Sequence, residues 1–140
     1  MQDFRKLDVW AKAHELAVMV YRATERTADR RYPGLVAQTR RAAGSIPANI
    51  AEGCGHHTSG EFARFLQHAV ASASELEYHL LLAHDLELMP VAEYARLEAR
   101  TTQVRRMLAG LINKVRSRTV STRGRSKQPS AAPAVTSTDH

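Results

Sequence analysis

The amino-acid sequence predicts an all-α protein, an antiparallel up-and-down four-helix bundle with a disordered C-terminal tail. Apolar residues recur at spacings of three and four along four segments, and strand-type alternation is absent. The breaks between the segments are short and contain Pro33-Gly34, Gly53-Cys54-Gly55 or Met89-Pro90, which favours antiparallel neighbours. The sequence contains no Leu, Ile, Phe, Trp or Tyr after Ile112, so its end can bury little apolar surface.

Length and composition fit one domain, residues 1–118, followed by a basic tail rich in Ser, Pro and Ala, residues 119–140. The chain has 140 residues, enough to bury a core without disulfides or metal. Its single cysteine, Cys54, cannot form an intramolecular disulfide, which favours a reducing cytoplasm. The N-terminus does not have the pattern of a signal peptide, and no apolar stretch approaches the roughly 18 residues of a membrane span. We therefore expect a cytoplasmic protein with no membrane partner.

The first helix is predicted over Phe4–Arg26 and is apolar over a wide arc. One face consists of Leu7, Trp10, His14, Ala17, Val18 and Tyr21. A second stripe consists of Val9, Ala13, Leu16 and Val20. Together they are much wider than the apolar arc of about 100° that a surface helix usually has. We expect the second stripe to be covered by another copy of the chain, and His14 to be an interior histidine.

The second helix is predicted over Leu35–Glu52, with Pro47 in its interior. Pro47 removes one backbone hydrogen bond and crowds the preceding turn, so a kink is expected. Ser45 and Asn49 can satisfy backbone groups that Pro47 frees, and Gly53 suits a left-handed helix C-cap. A polar seam on this helix comprises Gln38, Arg41, Ser45, Asn49 and Glu52. We interpret the run as a structural motif formed by Ser45, Pro47, Asn49, Glu52 and Gly53.

The third helix is predicted over Glu61–Leu88. Thr58 and Glu61 are typical of a capping box, in which each side chain accepts a hydrogen bond from the backbone amide of the other residue. The core stripe comprises Phe62, Phe65, Leu66, Ala69, Ala73, Leu76, Leu80 and Ala83. A weaker apolar stripe on the far side comprises Ala71, Tyr78 and Leu82. A lone bundle would leave this second stripe exposed, which predicts a homo-oligomer.

The fourth helix is predicted over Val91–Arg118. Its apolar residues alternate spacings of three and four, as in a helix packed nearly parallel to its neighbours. They are Tyr94, Leu97, Thr101, Val104, Leu108, Leu111 and Val115. The composition then changes to polar, basic and small residues, which predicts the disordered tail over 119–140.

Basic residues on the second and fourth helices are the candidates for nucleic-acid binding. The chain carries 20 Lys and Arg against 14 Asp and Glu, a net charge of +6. On the fourth helix, Arg96, Arg100, Lys114 and Arg118 fall within about 40° of one another beside the apolar seam. On the second helix, Arg40 and Arg41 either contact phosphates or pair with Glu75 or Glu77 of the third helix. The fourth-helix stripe is either a phosphate-binding surface or a solvated charged face.

No pattern indicates catalysis, a metal site or a cofactor. Cys54, His56 and His57 form one tight cluster without a second pair of ligands at a zinc-like spacing. Arg64 and His68 resemble the Arg and His of helical ribonucleases, but only three residues separate them and an apolar residue follows the Arg. We therefore expect no enzyme activity, no metal and no cofactor.

Residues 35–88 contain a distinctive set of motifs. They are Gln38-x-Arg40-Arg41-Ala42-Ala43-x-Ser45-Ile46-Pro47-x-Asn49-Ile50-Ala51-Glu52-Gly53, Glu61-Phe62-x-x-Phe65-Leu66 and Ser74-Glu75-Leu76-Glu77. With them the chain resembles, over about residues 3–115, the four-helix bundle proteins first noticed in intervening sequences of bacterial 23S ribosomal RNA genes. The resemblance implies an antiparallel bundle, a homopentamer and no enzyme activity. It also implies kinship with the accessory protein of diversity-generating retroelements, which is thought to bind nucleic acid and a reverse transcriptase.

The sequence therefore predicts a non-enzymatic homo-oligomeric scaffold or adaptor. In the favoured hypothesis it binds RNA or DNA, or a nucleic-acid-handling partner such as a reverse transcriptase, through a basic surface. In the alternative it is a protein–protein interaction module with no nucleic-acid role. Where the family commonly has a basic residue after Glu-Gly-x-Gly, this chain has His56, so the charge of that loop depends on pH.

Overall fold

The computed structural model describes residues 2–26 and 31–126, with the backbone alone described for Arg26 and for 119–126. A short 3-10 turn at Phe4–Lys6 leads into four helices. They are α1 (Asp8–Arg26), α2 (Pro33–Cys54), α3 (Ser59–Asp85) and α4 (Val91–Ser126). Within the described residues the fold is thus all-α, as the periodicity predicts.

The helices form an up-and-down bundle in which each packs against the next and α1 closes against α4. Between α2 and α3, Arg41 contacts Glu75 while Ser45 contacts Ser72. Residue numbers rise along α2 as they fall along α3, so these two helices are antiparallel. Within the described residues the diagonal pairs, α1 with α3 and α2 with α4, make no such contact. This arrangement places the start of α1, the α2–α3 connection and the later part of α4 at one end of the bundle.

The core follows the predicted stripes on α3 and α4, but not on α1. The stripe of α1 expected to be covered by another copy of the chain is instead buried within the bundle, where α1 packs against α2 and α4: Val9, Ala13, Leu16 and Val20. The other face of α1 is partly covered: Ala17 is buried, Leu7, Trp10 and Val18 are half-buried, and His14 and Tyr21 are exposed. The prediction that His14 is interior was wrong, since its exposed ring stacks on Trp10 at 5.0 Å between centroids. Both stripes are apolar, so periodicity alone could not tell which one the bundle buries.

Several helix boundaries differ from those predicted. α2 begins at Pro33, because proline suits the first turn of a helix, where its missing N–H is not needed. α3 ends at Asp85, and Glu87 adopts the left-handed φ of 56° that closes the helix. α4 continues through Arg118 to Ser126, so the described part of the predicted tail extends this helix. The rest of that tail, 127–140, lies outside the described residues.

The chain before α1 is attached to the end of α2. The backbone amide of Gln2 donates to the carbonyl of Cys54 at 3.1 Å. The Asp3 carboxylate accepts from the backbone amide of Arg5 at 3.1 Å, which caps the 3-10 turn. These bonds explain why helical structure near Phe4 takes the form of a separate turn and not the first turn of α1.

Candidate nucleic-acid interface

The part of α4 after Glu98 is basic and free of carboxylates. Glu98 is the last acidic residue before Asp139, near the end of the chain. The basic side chains described beyond Glu98 are Arg100, Arg105, Arg106, Lys114, Arg116 and Arg118. All of these belong to one helix, in a stretch that carries no carboxylate of its own.

Carboxylates of α1, α3 and α4 pair with three basic residues in the first half of α4. Arg96 donates to both carboxylate oxygens of Glu93, at 3.0 and 3.1 Å. Arg100 lies 3.6 Å from Glu15 of α1. The predicted stripe therefore divides, because its first two members, Arg96 and Arg100, already face negative charge.

Arg105 is a third paired residue, on the other side of α4. Its Nε lies 3.3 Å from a carboxylate oxygen of Glu77 on α3. Glu77, one of the two carboxylates considered as partners for Arg40 and Arg41, thus pairs with α4 and not with α2. Arg100 and Arg105 together show which side of α4 faces α1 and which faces α3.

The basic residues of α4 that follow Arg105 keep their positive charge. Arg106, Lys114 and Arg116 are exposed, and none forms an ion pair with a carboxylate in the described part of the chain. By helical phase, Lys114 and Arg118 lie on the side towards α1, while Arg116 lies on the side towards α3. We call Arg106, Lys114, Arg116 and Arg118 the basic end of α4. Arg106 and Arg116 are the members that the single-stripe prediction missed.

Arg40 and Arg41 contact other parts of the bundle. Arg41 forms an ion pair with Glu75 of α3 and donates to Gln38 at 2.9 Å, as the structural alternative for this residue predicts. Arg40 turns to α1 instead: its Nε donates to the Thr24 hydroxyl at 2.7 Å, and its guanidinium lies 5.0 Å from the centre of the Tyr21 ring. Of the two arginines, only Arg41 therefore pairs with a carboxylate of α3, and Arg40 contacts neither Glu75 nor Glu77. Both residues join neighbouring helices.

The Ser45–Gly53 run packs α2 against α3. Ser45 and Ser72 share a hydroxyl–hydroxyl hydrogen bond of 2.8 Å. The Asn49 amide donates to the Ser45 carbonyl at 2.8 Å, so it does not serve the Ala43 carbonyl that Pro47 crowds. Pro47 is buried and α2 continues through it, while Glu52 is exposed on the last turn.

Gly53 is not the C-cap of α2 that the sequence predicts, and its role is in helix packing. It lies inside α2, and none of the described glycines has a positive φ. A Cβ at this position would lie 2.9 Å from the Phe65 Cβ and 3.1 Å from a Phe62 ring carbon. The absence of a side chain at Gly53 thus lets α2 approach α3 closely.

The α2–α3 connection holds the cysteine and histidine cluster. Thr58 caps α3 by accepting from the Glu61 amide at 3.2 Å, but the Glu61 carboxylate turns to Arg64 and not back to Thr58. Burial raises the pKa of the Cys54 thiol, and the nearby Asp3 carboxylate adds to the shift. The described residues include no group of three or more His, Cys, Asp or Glu able to hold a metal ion.

A groove between α3 and α4 lies next to the basic end and has no counterpart in the sequence analysis. Its volume is about 520 Å3. It is lined by Ser59, Gly60, Ala63, Arg64, Gln67, His68, Val115 and Arg116. Only the antiparallel pairing brings the first turns of α3 beside the later turns of α4, so spacing along the sequence could not reveal it. Arg64 and His68, the rejected ribonuclease pair, are part of its wall.

None of the helices in the described part of the chain is apolar over a length that could cross a bilayer.

Comparisons with known proteins agree with this fold. The sequence matches the family model described as 23S rRNA-intervening sequence protein over residues 5–110. The chain is similar to a solved structure from Bacteroides thetaiotaomicron, a protein of unknown function from the S23 ribosomal protein family. The two are 26% identical with a TM-score of 0.70, and the alignment covers 74% of this chain and 97% of that one. No curated protein matches the sequence. Because the family model spans well over half of it, the chain belongs to the family of 23S rRNA-intervening sequence proteins.

Proposed function

We propose that this protein is a non-enzymatic, homo-oligomeric adaptor that binds RNA or DNA through the basic end of α4. The observation that carries the proposal is the charge of this segment: its exposed cations have no acidic residue beside them in sequence. Arg106, Lys114 and Arg116, moreover, have no carboxylate partner within the described residues. Phosphates are the ligands that such a surface attracts most generally.

Oligomerisation would strengthen this binding. In a ring of identical chains each basic end is repeated around the axis, so modest fields add into a larger one. We propose a homopentamer, on the basis of the family resemblance, with a reverse transcriptase or another nucleic-acid-handling protein as a further partner. Kinship with the retroelement accessory protein belongs to the same proposal.

The contacts expected here are mainly to phosphate, so binding should be sensitive to salt and indifferent to sequence. Side chains that contact phosphates fix position on the strand but do not read the bases. Each contact releases counterions, so affinity should fall steeply between low and physiological salt.

Two matched double variants test the proposal. Arg106→Gln with Lys114→Gln removes two cations without ion-pair partners, and Arg96→Gln with Arg100→Gln removes two that face Glu93 and Glu15. Each pair lowers the net charge equally. The first should weaken binding about tenfold or more and reduce the slope of log K against log salt by about 0.7 per contact for a single strand. The second should change binding much less.

The measurement is fluorescence anisotropy with labelled RNA and DNA over a salt series. Equal loss in both double variants would show that net charge alone is responsible, which contradicts a localised surface. If the unaltered protein retains neither RNA nor DNA at about 50 mM salt, the nucleic-acid proposal is lost. If the unaltered protein cleaves RNA and this cleavage is lost in His68→Ala or His57→Ala, the proposal that the protein is non-enzymatic is contradicted.

A second candidate function is a protein-interaction module with no nucleic-acid role. It is favoured by apolar side chains at the end of the bundle opposite the basic end of α4, where Val91 is 70% exposed and Tyr32 is 37% exposed. The absence of nucleic-acid binding together with an intact oligomer would support this candidate.

A further inference from the structure

The groove between α3 and α4 combines a small apolar floor with cations on opposite walls. Among its lining residues Ala63 and Val115 are buried and Gly60 has no side chain, so these three leave an apolar floor with little side-chain bulk. Arg64 stands on the α3 wall and Arg116 on the α4 wall. A ligand that fits would therefore contain a flat group with apolar faces, and it would carry a negative charge on each side of that group.

The polar groups of the walls are available to a ligand. Arg116 is exposed and has no ion pair among the described residues. Arg64 pairs with Glu61 at 3.0 Å, but the pair is exposed and lies within one helix, so a phosphate can compete for the guanidinium. His68 lines the same groove, and its ring packs edge-on against Phe65 at 5.7 Å between centroids.

We propose that this groove receives one nucleotide of single-stranded RNA or DNA. The base would lie on the floor beside His68, and the flanking phosphates would contact Arg64 and Arg116. The inference rests on the proposed function and deepens it, because Arg116 belongs both to the groove and to the basic end of α4. A nucleic-acid strand bound along the basic end of α4 therefore reaches the groove while its phosphates still face basic side chains.

The groove distinguishes single strands from duplexes. An unpaired base can turn outwards and place its face on a protein surface, whereas a paired base is held in the stack. An acidic peptide would also be attracted by the two arginines. A nucleotide fits better because it joins a flat apolar-faced group to an anion on each side within one repeating unit.

Gly60 offers a way to fill the groove. A Cβ at Gly60 meets nothing within 4 Å, and the backbone there is helical without a positive φ. Gly60→Leu should therefore occupy the groove without displacing protein atoms. Gly34→Leu is the matched control, because Gly34 is likewise the second residue of a helix, lies at the other end of the bundle and has open space around it.

The experiment compares a labelled oligouridylate of about 12 nucleotides with an RNA duplex of the same length, by fluorescence anisotropy. Gly60→Leu should weaken binding of the single strand about fivefold or more and change duplex binding less than about twofold. Arg116→Gln should also weaken single-strand binding more than duplex binding. Gly34→Leu should leave both unchanged, and circular dichroism should show equal helicity in all variants.

Three results would overturn the inference, and they can be told apart. If Gly60→Leu and Arg116→Gln bind single strands like the unaltered protein while Arg106→Gln with Lys114→Gln does not, the proposed function stands and the groove is not its site. If the unaltered protein binds neither nucleic acid, both proposals fail. If a labelled Glu-Leu peptide binds and only its binding is lost in Gly60→Leu, the groove belongs to an acidic protein segment.

Discussion

At the scale of single residues, side-chain size and partner decide what each motif residue does. Gly53 lies where Phe62 and Phe65 approach α2, so even a methyl group would push the two helices apart. Arg40 and Arg41 are adjacent in sequence, yet their side chains point about 100° apart on the helix. One therefore contacts Thr24 of α1 and the other Glu75 of α3. The pair connects three helices.

We expect Gly53→Ala to destabilise the protein, because the new Cβ would lie 2.9 Å from the backbone-anchored Cβ of Phe65. Overpacking of this kind should lower the free energy of unfolding by about 1–3 kcal/mol. Gly44→Ala is the control in the same helix: its Cβ meets nothing within 4 Å, so it should stabilise by up to about 1 kcal/mol. Urea denaturation at one protein concentration measures both, and equal changes would show that the contact at Gly53 is unimportant.

At the scale of elements, α3 ends because Glu87 adopts a left-handed backbone conformation, which glutamate does not favour. Leu88 N–H donates to the Ala83 carbonyl at 2.9 Å, and Glu87 N–H donates to the His84 carbonyl at 3.0 Å. These two bonds form a Schellman motif, which needs a left-handed residue at Glu87. The sequence predicts a helix that continues to Leu88, because the spacing of apolar residues gives no information on the backbone conformation of Glu87.

Glu87→Gly should stabilise the protein, because glycine adopts a positive φ without the steric cost that a side chain brings. We expect a gain of about 0.5–1 kcal/mol in the free energy of unfolding. Asp85→Gly, in the last turn of the same helix, should instead destabilise by a similar amount. Thermal unfolding followed by circular dichroism compares the two, and a lower midpoint for Glu87→Gly would contradict the proposed cap.

At the scale of the whole molecule, the outer face of α3 predicts self-association. Of the predicted far-side stripe, Ala71 and Tyr78 are exposed and Leu82 is half-buried, and the neighbouring Leu81 is also exposed. A lone bundle gains nothing from apolar side chains at such a site. Light scattering on the peak from gel filtration should give a mass several times that of one chain. Tyr78→Arg with Leu81→Arg should shift the mass towards a monomer while preserving helicity.

Val91→Arg is the control for this prediction. Val91 is 70% exposed, but it lies at the start of α4 and not on the outer face of α3. The control should keep the oligomer. A single-chain mass for the unaltered protein at micromolar concentration would contradict self-association and, with it, the repeated basic surface.

The sequence by itself determined the all-α class, the four helices and the buried stripes of α3 and α4. These follow from local periodicity, proline and glycine breaks and charge, each of which acts over a few residues. Gly53 was identified as part of a structural motif, but its close contact with Phe65 could not be read from spacing.

Only the tertiary structure decided which apolar stripe of α1 is buried, since both stripes suit a helix and the neighbouring helices select one. It also decided which cations are neutralised: Glu15 and Glu77 reach Arg100 and Arg105 across helix pairs, which leaves Arg106, Lys114 and Arg116 without carboxylate partners in the described chain. The groove beside Arg116 exists for the same reason. Pairing between distant segments sets charge compensation and concavity, and neither is encoded in the spacing of any one helix.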